Sequence, residues 1–223
     1  TRSYQDWKSA GSPIPTVGAI PSPTKAGATA YLFDGTASVV GVPYSSTLNQ
    51  SIIPATSGVT QNATKPYTIE LWTYFLNVPS GYYDIAGIYK APAQYTWLLE
   101  GNGSRLCVYG GSGKAVCYSG TMVSGKWLHI VFTYSGANLT NGTDLNVYIN
   151  GVLLSPDSTA TGGINPQTIN GRVTIGGADI NGSSTFPGYI SEFAMYDSVL
   201  NASKVQAHYQ ASLVAAQPTV LAV

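Results

Sequence analysis

After a proline-rich start, the chain consists of short runs in which apolar and polar residues alternate, separated by glycine, proline, asparagine and serine. In the run YTIELWTYF, residues 67–75, every second residue from Ile69 to Phe75 shares one face, and Glu70 begins the set on the other face. This period of two predicts a strand with one face in a core. The run WLHIVFTYS, residues 127–135, repeats the pattern.

Turn and capping residues connect these runs. Asn150–Gly151 lies between two β-rich runs, and Asn-Gly is the strongest short-range signal for a hairpin. In residues 186–209, a glycine turn precedes a strand, and Asn201 then provides a helix cap. Leu200 can pack on Val205 as a hydrophobic staple. The pattern predicts an all-β, two-sheet antiparallel sandwich that ends in one short helix.

The chain divides into three predicted segments. Residues 28–210 contain the strand runs and the helix, and form the sandwich. Residues 211–223 are an apolar tail. Residues 1–27 are an extended arm, because four prolines prevent a helix or a central strand there. These prolines are Pro13, Pro15, Pro21 and Pro23.

Charged residues are unusually rare in this chain. They make up 9% of the sequence, with a formal net charge of zero, whereas soluble proteins average about 25%. Because no basic cluster is present to neutralise phosphates, the composition excludes nucleic-acid binding. No run reaches the roughly 20 apolar residues that span a bilayer, so we expect no direct membrane insertion.

Asn-x-Ser/Thr triplets are more frequent than chance predicts. Seven occur, against about two or three expected by chance, and the excess predicts N-glycans on a secreted chain. Composition bias, or a virion protein that is never glycosylated, is the alternative. The seven asparagines are Asn49, Asn62, Asn102, Asn138, Asn141, Asn181 and Asn201.

The two cysteines point to the same compartment. Cys107 and Cys117 flank a glycine-rich turn, and a hairpin folded about Ser112 places them opposite each other, as a cross-strand disulfide requires. Two buried thiols are the alternative. The start at Thr1, without a leader, fits a processed mature chain. We therefore expect an extracellular, cell-surface or virion-surface protein.

Five segments, in their order and spacing, carry a family resemblance: residues 31–49, 67–75, 127–136, 145–154 and 173–209. Together they resemble the laminin-G-like domains of the concanavalin A-like lectin/glucanase superfamily over about residues 30 to 210. The resemblance implies a jelly-roll sandwich. It implies little about function, because that fold hosts lectins, glycosidases, adhesion modules and structural subunits.

The sequence lacks the local acidic motif of the glucanases that it resembles. Those enzymes place carboxylates two or three positions apart on one strand, which suits the separation of about 5 Å needed for retaining hydrolysis. Here Glu192 and Asp197 are five positions apart, on opposite faces of a regular strand. His129 and His208 have no serine or cysteine nucleophile motif to complete a triad. We therefore predict that the chain is not an enzyme, that Glu192 is structural, and that both histidines have structural or surface roles.

Calcium is the cofactor that the resemblance raises, because many relatives hold it at the sandwich rim. Asp84, Asp144 and Asp179 are acidic residues of predicted loops, but none lies in a dense acidic loop. We predict no metal ligands and no cofactor, with calcium as the open alternative.

Aromatic residues are the best ligand-binding candidates. Exposed rings stack on sugars or anchor a protein partner, although core packing is the alternative. The candidates from residues 80–97 are Tyr82, Tyr83, Tyr89, Tyr95 and Trp97.

Two functions remain open from the sequence. The preferred one is a glycosylated structural or adhesive subunit that assembles with copies of itself or with surface proteins through residues 1–27 and 211–223, since an extended segment can pair with a sheet edge. In the alternative, the arm packs along its own sandwich and the tail completes a local sheet edge. The second function is a lectin or adhesin that binds glycans through rim loops.

Overall fold

A computed structural model describes residues 16–17, 30–42, 66–90, 94–111, 114–136, 145–159, 172–177 and 184–215. These residues form two antiparallel seven-stranded sheets and one helix. The predicted fold class, an all-β sandwich with a short C-terminal helix, is confirmed.

The first sheet contains β1 (Thr16–Val17), β2 (Tyr31–Asp34), β4 (Tyr67–Phe75), β9 (Trp127–Tyr134), β10 (Leu145–Ile149), β11 (Val152–Leu153) and β14 (Pro187–Tyr196). Their order across the sheet is β1-β2-β14-β4-β9-β10-β11. The second sheet contains β3 (Val40–Val42), β5 (Tyr82–Lys90), β6 (Gln94–Asn102), β7 (Arg105–Gly111), β8 (Lys114–Tyr118), β12 (Ser158–Thr159) and β13 (Arg172–Ile175). Their order is β12-β8-β7-β6-β5-β13-β3.

The core lies between the two sheets. The predicted inner face of β4 is buried there, beginning with Ile69, which has no exposed surface. Phe75 of β4 packs on Tyr83 of β5 with ring centroids 5.2 Å apart, and Phe132 of β9 packs on Trp97 of β6 at 5.4 Å. Burial of these large rings supplies much of the apolar area that stabilises a sandwich.

The helix α1 (Ala202–Ala215) packs on the outer face of the first sheet, the face turned away from the core. Asn201 caps it, because its side-chain oxygen accepts the Lys204 backbone N–H at 2.9 Å. Leu200 and Val205 lie in one buried cluster, so the staple is confirmed. In the described part of the chain, no helix is long and apolar enough to cross a bilayer.

One strand departs from the regular geometry that the sequence analysis assumed. The pairing of β14 with β4 shifts register between Ser191 and Ala194, and Glu192 has a left-handed φ of 51°. Glu192 is exposed at this bulge. Its position relative to Asp197 therefore cannot be inferred from regular strand alternation, because a bulge adds a residue to one strand.

The arm contributes an edge strand to its own molecule. Thr16 and Val17 pair with Leu32 and Tyr31 of β2. For these two residues, the alternative placement along the sandwich is the one that the structure adopts. The rest of residues 1–27 lies outside the described residues.

The predicted disulfide is present between Cys107 and Cys117. The two residues are direct partners in the pairing of β7 with β8. Because neighbouring Leu106 and Val108 face the core, the disulfide lies on the outer face of the second sheet. Closing a loop with a sequence separation of 10 stabilises the fold by about 2 to 3 kcal/mol, through lost entropy of the unfolded chain.

Candidate functional site

The outer face of the second sheet carries polar side chains of β5, β6 and β7. Tyr83 and Ile85 of β5 point into the core, so Tyr82 and Asp84 lie on the outer face. Tyr82 is 64% exposed, whereas Asp84 is buried. This face therefore places an open aromatic ring near a carboxyl group.

Asp84 and Glu100 form a carboxyl pair across β5 and β6. They are direct partners in the antiparallel register, and their side chains are hydrogen-bonded. Burial raises the pKa of Glu100, and hydrogen bonds from Tyr109 and Asp84 oppose that rise. A hydrogen bond between two carboxyl groups needs a proton on one of them. In this arrangement the pair carries a single negative charge.

Tyr109 of β7 joins this pair to two other tyrosines. Burial raises the pKa of Tyr109, as do its hydrogen bond to Glu100 and the nearby Tyr82 and Tyr95. The ring centroids of Tyr95 and Tyr109 are 6.3 Å apart. We call Tyr82, Asp84, Tyr95, Glu100 and Tyr109 the tyrosine platform.

The tyrosine platform combines two chemistries on one sheet face. Tyrosine rings are large, stiff apolar surfaces with a hydroxyl that donates and accepts hydrogen bonds. A carboxylate accepts short, charge-assisted hydrogen bonds from hydroxyl groups. Together these groups suit a ligand that has both C–H faces and many hydroxyls.

One side of the platform is bordered by an ion pair. Asn102 and Arg105 are partners at the turn between β6 and β7. A nitrogen of the Arg105 guanidinium lies 3.8 Å from Asp157 Oδ1, and the Ser119 hydroxyl donates to the other oxygen of Asp157. Asp157 therefore balances the positive charge of Arg105 beside the tyrosine platform.

Two of the predicted aromatic candidates are wrong. Tyr83 is 1% exposed and Trp97 is fully buried, so neither can present a ring to a ligand. Tyr83 instead donates its hydroxyl to the Gly103 carbonyl at 2.8 Å. Tyr82 and Tyr95 belong to the platform, and the side chain of Tyr89 lies outside the described residues.

The structure describes two of the seven predicted glycosylation sites. Asn201 is exposed but uses its side-chain oxygen as the helix cap. Asn102 is partly buried at the end of β6. The other five, Asn49, Asn62, Asn138, Asn141 and Asn181, lie outside the described residues.

The acidic residues considered for calcium do not form a described site. Asp84 lies within β5 and is buried, so its placement in a loop was wrong. Asp144 and Asp179 are outside the described residues. Among the residues with described positions, no group of three His, Cys, Asp or Glu could hold a metal ion.

A second polar cluster lies between the first sheet and α1. Glu70 of β4 is bonded through Oε1 to His129 Nε2 at 2.7 Å. The Tyr196 hydroxyl donates to Oε2 at 2.7 Å, and His208 Nδ1 of α1 lies 3.1 Å from the same oxygen. Burial alone would raise the pKa of Glu70, but these partners outweigh it and lower the pKa to about 2.

Aromatic stacking closes this second cluster. The fully buried ring of His129 lies 4.7 Å from that of Trp72 and 6.0 Å from that of Tyr209 on α1. Contacts from both His208 and Tyr209 thus fix the helix to the sheet. The structural role predicted for His129 fits this arrangement, whereas His208 contacts Glu70 from the helix rather than facing solvent alone.

Comparisons with known proteins agree with this architecture. A family model described as the concanavalin A-like lectin/glucanases superfamily matches residues 48–206. A Trypanosoma rangeli sialidase in complex with sialic acid has a TM-score of 0.59 at 18% identity, over 81% of this chain and 27% of the sialidase chain. The chain thus spans about a quarter of that protein. No curated protein sequence matches the chain.

Two further solved structures are similar. Domain 4 of AbnA, an extracellular arabinanase of Geobacillus stearothermophilus in complex with arabinotriose, has a TM-score of 0.52 at 22% identity, over 82% of this chain and 77% of that chain. The binding domain of botulinum neurotoxin DC, in complex with rat synaptotagmin II, has a TM-score of 0.58 at 12% identity, over 89% and 45%. Identities this low show a shared fold alone.

The prediction that the chain is not an enzyme is overturned. Its fold is that of part of the sialidase chains, so the fold offers no ground for excluding catalysis. The prediction also rested on a missing acidic pair within one strand. Asp84 and Glu100 form a carboxyl pair across two strands, which a search for a local motif does not detect.

Proposed function

The chain belongs to the concanavalin A-like lectin/glucanase superfamily, and on that premise we propose that it is a glycan-binding domain whose ligand lies on the tyrosine platform. The observation that carries the proposal is the 64% exposure of Tyr82 on the same face as the Asp84–Glu100 pair. An exposed ring of this size near hydrogen-bonding carboxyl groups is suited to a sugar ring.

Two of the similar structures support this proposal by the ligands they contain. The Trypanosoma rangeli sialidase holds sialic acid, and the arabinanase domain holds arabinotriose. The toxin domain holds a protein, synaptotagmin II. We propose that glycans, free or carried on a surface protein, are the partners of this chain.

An extracellular or cell-surface location is part of the same proposal. The Cys107–Cys117 disulfide supports it, because disulfides persist in oxidising compartments. The seven glycosylation triplets support it further. A glycosylated surface would also compensate for the low charge content.

The structural-subunit hypothesis ranks second. It depends on residues 1–27 and 211–223 pairing with another copy, and Thr16–Val17 pairs instead with β2 of its own sheet. Residues 211–215 continue α1 rather than forming an extended tail. Glycan binding needs no contribution from these flanks.

Binding to a glycan array, followed by calorimetry with the best ligand, tests the proposal. We expect Tyr82→Ala to weaken binding at least tenfold while leaving the melting temperature unchanged, because an exposed ring contributes little to folding. Tyr31→Ala is the matched control, since Tyr31 is 45% exposed on the first sheet. Equal affinities for Tyr82→Ala and wild type, or no binding to any glycan, would contradict the proposal.

A further inference from the structure

We propose that the tyrosine platform selects neutral glycans and discriminates against glycans that end in an acidic sugar such as sialic acid. This inference rests on the proposed glycan binding and adds the class of ligand.

The first reason is the negative charge of the platform. Asp84 and Glu100 face each other across β5 and β6, and a proton shared between two adjacent carboxyl groups leaves the pair with one negative charge. Asp84 is 3% exposed, so water screens this charge poorly. A ligand carboxylate placed on Tyr82 or Tyr109 would lie near a charge of its own sign.

The second reason concerns the positive groups among the described side chains of β5, β6 and β7. Among the side chains that the structure describes on β5, β6 and β7, Arg105 is the one positive group. Its guanidinium lies 3.8 Å from Asp157, and recognition of a carboxylate usually uses such a guanidinium fork. Because Asp157 already balances this charge, Arg105 offers little attraction to a second carboxylate.

The third reason is the set of hydrogen-bonding groups that remain. Burial and the contact with Glu100 raise the pKa of Tyr109, so its hydroxyl stays neutral. The carboxyl pair accepts hydrogen bonds from hydroxyl groups, which every neutral sugar supplies. The platform therefore matches a polyhydroxylated, uncharged ligand better than an anionic one.

Matched neutral and acidic oligosaccharides test the inference. The probes are arabinotriose, lactose and the trisaccharide formed by adding a terminal sialic acid to lactose, together with a glycan array that contains such pairs. We expect the neutral member of each pair to bind at least tenfold more tightly at low ionic strength, and this ratio to fall as salt increases.

Two variants test whether the charge of the carboxyl pair causes the discrimination against acidic glycans. Asp84→Asn combined with Glu100→Gln removes the negative charge of the pair while keeping its shape, and we expect this double variant to narrow the neutral-to-acidic ratio at least threefold. Glu192→Gln is the matched control, because Glu192 is exposed on the first sheet, and we expect it to leave the ratio unchanged.

The outcomes separate this inference from the proposed function. Neutral members that bind more tightly, with a ratio reduced by the double variant Asp84→Asn, Glu100→Gln, support both. Sialylated members that bind as tightly or more tightly overturn the inference and leave glycan binding in place. A ratio equally reduced by Glu192→Gln also overturns it. Absence of binding to every array glycan overturns the proposed function and the inference with it.

Discussion

Glu70 is a residue on which burial and hydrogen bonding shift the pKa in opposite directions. Burial disfavours its charged form, whereas His129, Tyr196 and His208 stabilise that form and lower its pKa to about 2, from 4.5 for an isolated side chain. A folded-state pKa below the unfolded value adds stability that is fully present above about pH 4.5 and lost as the pH falls toward 2. By this linkage the effect amounts to roughly 3 kcal/mol.

We therefore expect Glu70→Gln to be less stable than wild type at pH 7 and to lose less stability on acidification. Urea unfolding at a series of pH values between 7 and 2 measures both effects. Tyr196→Phe removes one donor but keeps the carboxyl group, so we expect it to show a smaller change of the same sign. A difference between wild type and Glu70→Gln that stays constant across the series would contradict the role given to Glu70.

At the residue scale, the sequence predicts which face of a sheet a side chain lies on better than it predicts which other side chain it contacts. Alternation separates Tyr82 from Tyr83, and Ile85, which shares the face of Tyr83, indicates that this face is the core one. Trp97 was less predictable, because Leu98 and Leu99 are apolar on both faces of β6. The pair of Asp84 and Glu100 could not be predicted, since it depends on the register of β5 and β6.

At the scale of elements, Asn201 has two separable roles. Its side chain caps α1, and it is also the acceptor of a glycosylation triplet. Asn201→Asp keeps a capping oxygen and removes the acceptor, whereas Ser203→Ala removes the triplet and keeps the asparagine. Asn201→Ala removes both the cap and the acceptor.

We expect Asn201→Ala to lower the free energy of unfolding by about 1 kcal/mol in unglycosylated protein, because an orphan helix N–H loses its acceptor. Asn201→Asp should stay within about 0.5 kcal/mol of wild type, since Asp is an equally good cap. Chemical denaturation of the variants measures these values. Equal losses for Ala and Asp would mean that capping is not what Asn201 contributes.

Strands, turns and the helix were predictable where interactions between residues close in sequence determine them. The hairpin that carries Cys107 and Cys117, and the staple of Leu200 on Val205, follow from turn chemistry and short spacings. The bulge at Glu192 was not predictable, because its left-handed backbone arises at a residue that rarely adopts that conformation. The contact of His208 with Glu70 joins residues 138 positions apart, so no local pattern could show it.

At the scale of the whole molecule, the arm controls one edge of the first sheet. Thr16–Val17 pairs along β2, and an unprotected edge strand promotes pairing with other molecules. We expect deletion of residues 1–27 to leave a folded sandwich, because the core residues with described positions all lie beyond the arm, and to increase self-association through the exposed edge of β2.

Sedimentation over a range of concentrations, with circular dichroism to verify folding, measures this effect. The structural-subunit hypothesis predicts the opposite, namely that the truncated chain assembles less than the full-length chain. A folded truncated chain that assembles less would therefore restore that hypothesis over the edge-covering role of the arm.

The position of α1 has a consequence for attachment. The helix covers the outer face of the first sheet, and β1 borders the same sheet, so the first and last described elements both lie on the side opposite the tyrosine platform. A neighbouring domain or a solid support joined to either of these elements would therefore attach to the molecule on the side of the first sheet. The platform would then point outward, toward whatever approaches from solution.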